Sequence, residues 1–260
     1  MQPDAAERMT VVAARLLRDG EVCFVGIGLP SRAANLARLT HAPELQLIYE
    51  AGAIGAKPTV LPLSIGDGEL AATADAVVPT HEVFRYWLQG GRVDVGFLGA
   101  AQIDRFANVN TTVIGDYASP KVRLPGAGGA PEIAAQAREV ILILSQHARS
   151  FVQKLDFVTS PGFLGGSGER ARRGLRGGGP SAVVTDLGVL RPDPETQELV
   201  LTELHRGVTV EEVRAKTAWP LRVSDKLKET EEPEDFYLQA LRELDHRTAL
   251  AHGRAPTGGL

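Results

Sequence analysis

Glu50 ends an apolar run, residues 45–50 (LQLIYE), and the chain continues through the small residues Ala51, Gly52 and Ala53. A run of this length and β-former content reads as a buried strand of a parallel sheet, where a charge at the exit is out of pattern. Ligands of open parallel sheets bind beyond the carboxyl ends of the strands. Small side chains at that place leave room for a substrate beside the carboxylate. Glu50 is therefore a candidate nucleophile, with Ala51 and Gly52 as candidate substrate contacts. The competing reading is a glutamate that caps a following helix or pairs with a neighbouring arginine.

Two glycine turns could seat an oxyanion or a phosphate on backbone N–H groups at a helix start, and they read equally as turn geometry alone. In Gly26-Ile27-Gly28-Leu29-Pro30 the backbone can approach a ligand closely, and Ser31 reads as the N-cap of the helix that follows. This GxG lacks the third glycine of a dinucleotide fingerprint, and the next strand ends in Glu50 too soon to suit that fingerprint. The second turn is Pro125-Gly126-Ala127-Gly128-Gly129-Ala130, again before a helix. Asn108 and Asn110, in an Asn-Val-Asn-Thr-Thr stretch, read equally as loop architecture or as contacts to substrate.

Other chemistries find little support. The six histidines are scattered without ligand spacing, so no metal is expected. Ser31, Ser64, Ser119 and Ser160 lack a GxSxG setting, which argues against a serine hydrolase. Cys23, the single cysteine, sits in an apolar VCFV run and reads as core; it excludes an internal disulfide.

The elements that must hold these residues alternate between strand and helix. Helical stripes cover residues 5–19, stopped by Gly20, and the segment from 31 to about 40. Strands are expected at 21–25, 93–98 and 140–144, the last and most apolar near the sheet centre. Residues 80–89 carry Val83, Phe84, Trp87 and Leu88 at helical spacing, an aromatic stripe read as packing. Strands at 182–185 and 198–204 flank an Arg-Pro-Asp-Pro turn at 191–194, and Thr209 caps a helix to about 217. A last amphipathic helix spans 231–244, and the PTGGL end should fray. Residues 162–180, rich in Gly and Arg but without interleaved aromatics, read as a mobile surface loop rather than an RNA-binding segment, with closure over the site left open. The fold class is thus α/β: an open, mainly parallel sheet flanked by helices, read as one domain over 1–260.

The chain has 260 residues, 43% hydrophobic and 23% charged, enough for an ample core. A net charge of -4 gives no general attraction to nucleic acid or to anionic membranes. No signal-peptide-like segment and no run of membrane-spanning length is present, so a cytoplasmic protein is expected.

Taken in order, VGIGLP, YEAG, VDVGFLGAAQIDRFANVNTT, LPGAGGA, TSPGFLGG with GGGP, and HRGVTVEEV resemble the β subunit of a family I coenzyme A transferase of the glutaconate or 3-oxoacid type. The resemblance spans about residues 22–221. It implies an open α/β sheet shared with certain sugar-phosphate isomerases, a catalytic glutamate matched by Glu50, and a thioester-oxygen hole matched by Gly26, Ile27 and Gly28 together with Gly128 and Gly129. It further implies a glutamyl-CoA thioester, ping-pong kinetics, CoA or acyl-CoA as substrate with no permanently bound cofactor, and an α-type partner subunit in a hetero-oligomer. Many members carry Ser-Glu-Asn-Gly where Tyr49-Glu50-Ala51-Gly52 stands here, and many have a proline at the position of Arg206. Relatives on the same scaffold hydrolyse or decarboxylate CoA-linked acids, usually with the glutamate altered; a non-catalytic subunit that binds CoA esters is the third reading. For a dicarboxylic substrate, Lys57, Arg105 and Arg123 are candidate cations.

Overall fold

The structure, a computed structural model, describes residues 3–253; the PTGGL end lies outside the described residues. The chain divides into two compact units, Met1–Phe97 with Glu232–Leu260, and Leu98–Glu231.

The first unit opens with α1 (Ala5–Ala14), whose start is fixed by a capping box between Asp4 and Glu7. The helix stops before the expected residue 19 because Leu16 and Leu17 bond back three residues, to Ala13 and Ala14, and tighten the last turn. Gly20, at φ 76°, then turns the chain into β1 (Val22–Val25). α2 (Leu29–Leu39) follows, then β2 (Gln46–Ile48) and β3 (Ala53–Ala56). α3 (Gly68–Thr73) is N-capped by Asp67; β4 (Ala76–Val77) and α4 (Thr80–Glu82) come next. α4 runs into a π-helical turn, Val83–Leu88, before β5 (Val95–Gly99). In this turn Val83 and Leu88 are buried while Phe84 and Trp87 are half-buried, with Phe84 tilted against Phe24 at 5.6 Å.

The strand order here is β5-β1-β2-β3-β4. β1 runs parallel to both β2 and β5, and β3 and β4 extend the sheet antiparallel. Ala53, expected with Ala51 and Gly52 to leave room beside the carboxylate, instead opens β3, a strand buried at every position. Gly55, at φ 64°, supplies the bulge that shifts its register on β2.

The second unit carries two ribbons, β6 (Gln102–Ile103) with β7 (Val109–Asn110), and β8 (Val113–Gly115) with β9 (Pro120–Arg123). Then come α5 (Ala130–Gln136), β10 (Glu139–Ile143), α6 (Glu169–Arg172), β11 (Pro180–Val184), β12 (Gly188–Pro192), β13 (Leu199–Leu204), α7 (Val210–Ala215) and β14 (Arg222–Glu229). The order is β10-β11-β12-β13-β14, with β10 parallel to β11 and β13 parallel to β14 around antiparallel hairpins. The expected turn at 191–194 begins inside β12, and its bend falls at 193–197, where Asp193 accepts from Glu195 and Thr196.

The chain closes with α8 (Asp235–Ala251), back in the first unit, where α1, α2 and α8 pack together. The fold class is the expected one: an open α/β sheet, parallel in its apolar heart and flanked by helices, with hairpins added outside it. Its core strands are almost wholly buried, Cys23, Phe24, Val25, Leu47 and Ile48 in one unit and Val140 to Ile143 in the other. Each fully buried side chain of that size contributes about 1.5–3 kcal/mol.

Candidate active site

Tyr49 to Gly52 form a tight turn at the carboxyl end of β2. The Gly52 N–H donates to the Tyr49 carbonyl at 3.0 Å, and the Tyr49 N–H donates to the Ala53 carbonyl at 2.9 Å. Glu50 sits in this turn half-buried, beside an exposed Ala51. No helix follows it, so the helix-capping reading of Glu50 falls. Gly52 has φ +116°, and a Cβ there would stand 1.9 Å from the Val78 carbonyl oxygen. The space on the Cβ side of Gly52 is therefore taken by protein, and a glycine is what this turn requires.

The first glycine turn leaves the sheet at the same edge. Phe24 of β1 is paired in register with Ile48 of β2. Gly26 and Glu50 each lie two residues beyond that pair, on adjacent parallel strands, which are about 4.8 Å apart in any such sheet. The Gly26 N–H is spent on the Phe97 carbonyl at 3.4 Å. The N–H groups of Ile27 and Gly28 give no hydrogen bond among the described residues, and both residues are exposed. Gly28, at φ 76°, is the N-cap of α2, and Pro30 occupies the first turn. The expected cap at Ser31 is thus displaced: proline favours the first helical turn, so the helix starts earlier and Ser31 lies inside it. Two free amides and a helix start at one sheet edge suit an oxyanion.

The second glycine turn belongs to the second unit. The Gly126 N–H donates to the Thr111 carbonyl at 2.8 Å, Gly128 takes φ +48°, and Gly129 is the buried N-cap of α5. Asn108 and Asn110 are in the same unit, and both are loop supports. Asn108 Oδ1 accepts from Gly162 and Leu164, and its Nδ2 donates to Asp104 and to the Leu164 carbonyl. Asn110 Nδ2 donates to Gln102 and to the Val113 carbonyl, and its Oδ1 accepts from Thr112 and Val113. Each amide has both donors and both lone pairs engaged. Of the two readings of Asn108 and Asn110, loop architecture is the one these bonds support. Asp104, under Asn108, has its carboxyl pushed up by burial against the pull of those hydrogen bonds.

The candidate cations are engaged as well. Lys57 pairs with Asp75 at 2.7 Å, Arg105 with Glu198 at 3.9 Å, and Arg123 lies over the Tyr117 ring at 5.1 Å. Residues 162–180 are not loose throughout: Arg170 is buried and donates only to main-chain carbonyls, and α6 forms within the stretch. Cys23 is fully buried, and burial pushes its thiol up. Among the described residues no group of His, Cys, Asp and Glu is placed to hold a metal ion, and no helix is long and apolar enough to cross a membrane.

One feature beside the candidate nucleophile was not anticipated. The Tyr49 hydroxyl lies 3.1 Å from Ser31 Oγ and 3.4 Å from Asn35 Nδ2, all three residues buried. Its sequence signal is a tyrosine next to the carboxylate together with Ser31 and Asn35 one helical turn apart.

A half-buried carboxylate at the carboxyl edge of parallel strands, with uncommitted backbone amides beside it, is an arrangement that suits acyl transfer. The chain belongs to the coenzyme A transferase family, whose model matches residues 6–216. It is 64% identical to the B-type chain of the 3-oxoadipate CoA-transferase from Pseudomonas knackmussii, over 95% of each chain. The crystal structure of glutaconate coenzyme A-transferase from Acidaminococcus fermentans superimposes with a TM-score of 0.87 at 35% identity, covering 95% of this chain and 96% of that one. The decarboxylase AibA/AibB matches with a TM-score of 0.80 at 26% identity, over 94% of this chain and 95% of its own.

Proposed function

We propose that this chain is the β-type subunit of a CoA-transferase that works with an α-type partner and passes CoA through a thioester on Glu50. The observation that carries the reading is the register: Glu50 and the Gly26–Gly28 turn leave adjacent parallel strands two residues past the same pair, Phe24 and Ile48. Glu50 attacks the thioester carbonyl of an acyl-CoA, and the oxygen's developing charge falls to the Ile27 and Gly28 amides. CoA thiolate leaves, giving a mixed anhydride. The thiolate then attacks the Glu50 carbonyl and expels the donor acid, which leaves glutamyl-CoA. An acceptor carboxylate reverses both steps, and no net proton moves. Partial burial strips water from the carboxylate, which raises its reactivity and protects the anhydride from hydrolysis.

A 3-oxoacid dicarboxylate of the 3-oxoadipate kind is the acid we favour, on the 64% identity to a protein named for it. The competing reading is CoA-linked decarboxylation or hydrolysis, because the fold is shared with AibA/AibB. Glu50 separates the two, since direct attack by water or loss of carbon dioxide leaves no covalent CoA.

The test is made on the complex reconstituted with its partner. Acyl-CoA followed by borohydride should inactivate the wild-type complex, and mass spectrometry should find CoA, less one water, on the peptide bearing Glu50 before reduction. Glu50→Gln should lower transfer by about 10³-fold or more. Transfer that survives in Glu50→Gln, or an adduct on another residue, overturns the reading.

A further inference from the structure

Tyr49 is the only residue between β2 and the candidate nucleophile, and it is fully buried. A buried phenol is unfavourable unless its hydroxyl is bonded. Here that hydroxyl meets Ser31 Oγ at 3.1 Å and Asn35 Nδ2 at 3.4 Å. The orientation of Asn35 is set independently, because its Nδ2 also donates to the Ser31 carbonyl at 2.9 Å, and a carbonyl only accepts. Burial pushes the Tyr49 phenol up, so it stays neutral and able both to donate and to accept. Asn35 Oδ1 is buried with no hydrogen-bond partner. Three apolar side chains would fill this space with no orphaned acceptor, so the cluster is a poor device for stability alone.

Its placement gives it another use. The main chain of Tyr49 accepts the hydrogen bond that closes the Glu50 turn. Ser31 and Asn35 stand on α2, three and seven residues after its N-cap Gly28. One side chain thus ties the turn that carries Glu50 to the helix whose start carries the Ile27 and Gly28 amides. We infer that Tyr49, Ser31 and Asn35 are positioning residues that hold the Glu50 carboxylate at a fixed distance from those amides. The inference rests on Glu50 being the nucleophile. Ordinary packing leaves a carboxylate on a hairpin free to rock by a fraction of an ångström, and small misplacements of reacting groups are costly in rate. A strut that is buried and bonded at both ends removes that freedom.

Tyr49→Phe deletes the hydroxyl and keeps the ring. In the reconstituted complex we expect kcat to fall about tenfold with KM for acyl-CoA within twofold. Single-turnover formation of the Glu50 thioester should slow by the same factor, and a larger share of that thioester should be lost to water as free CoA. Ser31→Ala should slow transfer in the same way, and Tyr49→Phe with Ser31→Ala together should be no slower than Tyr49→Phe alone, because both cut one link. Ser31→Thr, which keeps a hydroxyl, should restore the rate lost in Ser31→Ala. Thermal melts of each complex record folding separately. A Tyr49→Phe complex with wild-type kcat and wild-type leakage, or one whose rate loss matches its loss of folded protein, overturns the strut. Glu50→Gln is run beside it: if Glu50→Gln is inactive, such a result removes the strut alone, and if Glu50→Gln transfers CoA, the nucleophile reading and the strut fall together.

Discussion

The Glu50 turn depends on a glycine that the chemistry proposed for Glu50 does not require. Gly52 holds φ +116°, and its missing Cβ is replaced by the Val78 carbonyl oxygen, 1.9 Å from where that atom would be. The same neighbours exchange a hydrogen bond, Val78 N–H to the Gly52 carbonyl at 3.0 Å. Gly52→Ala therefore has to move backbone, and relaxing a side chain does not relieve it. The expected result is a loss of about 2 kcal/mol or more in denaturant unfolding, with Glu50 displaced and transfer reduced. Ala51→Ser, one residue earlier and exposed, should leave unfolding within about 0.5 kcal/mol of wild type. Equal stability of the two variants would refute this account. Local sequence made Glu50 conspicuous, because a charge at the end of an apolar run breaks a pattern that can be counted. It did not reveal what fills the space beside it, since Gly52 meets Val78 only after β3 and β4 have paired. The asparagines show the same limit: three of the four hydrogen bonds of the Asn108 amide are made with Gly162 and Leu164, more than fifty positions away.

Among the elements, those with strong local periodicity were readable: α2, β1, β2, β5, β10 and the Thr209-capped α7 stand within a few residues of their expected places. β3 was not, because Ala-Ile-Gly-Ala has little strand preference of its own, and β14 was not, because its charged RVSDKLKE lies at a sheet edge where no apolar alternation is needed. The Gly/Arg-rich stretch failed for a different reason: composition says nothing of where one arginine points. Arg170 donates to the carbonyls of Gly177 at 2.8 Å, Gly162 at 2.9 Å and Ala134 at 2.6 Å. Ala134 lies in α5, so the guanidinium also meets the negative end of that helix. Burial draws its pKa down to about 10, which leaves it charged at neutral pH. Arg170→Met strands these carbonyls and should destabilise the protein by about 2–4 kcal/mol in urea unfolding. Arg170→Lys should recover little, because an ammonium cannot span several carbonyls as the planar fork does. A Lys variant as stable as wild type would show that charge alone suffices.

On the scale of the whole molecule, the main surprise is that the chain's last helix completes its first unit. Amphipathic periodicity identifies α8 but cannot say which surface receives its buried Tyr237, Leu238, Leu241 and Leu244. The partners of its charges do. Arg242 grips Glu7 through two bonds of 2.7 and 2.9 Å, Arg32 bonds Asp245 at 3.0 Å, and Arg15 pairs with Glu234. The Arg242 bond, aided by the Asp4 amide, holds the Glu7 carboxyl below its ordinary range against the opposing effect of burial. Because the folded value is the lower one, unfolding at acid pH takes up a proton. The stability this clamp contributes is therefore complete above the unfolded glutamate value, about 4.3, and fades as pH falls through the depressed folded value. For a pair still in contact with solvent the contribution is about 1 kcal/mol. Arg242→Met should thus melt a few degrees below wild type at pH 6, and the gap should narrow as the pH is taken below about 4. In a Glu7→Gln background, Arg242→Met should cost less at pH 6, and what it costs should depend less on pH. A melting difference between wild type and Arg242→Met that stays constant from pH 6 to pH 3 would mean that the arginine acts through its packing on α1, and that the ends of the chain are joined by apolar contact without help from charge.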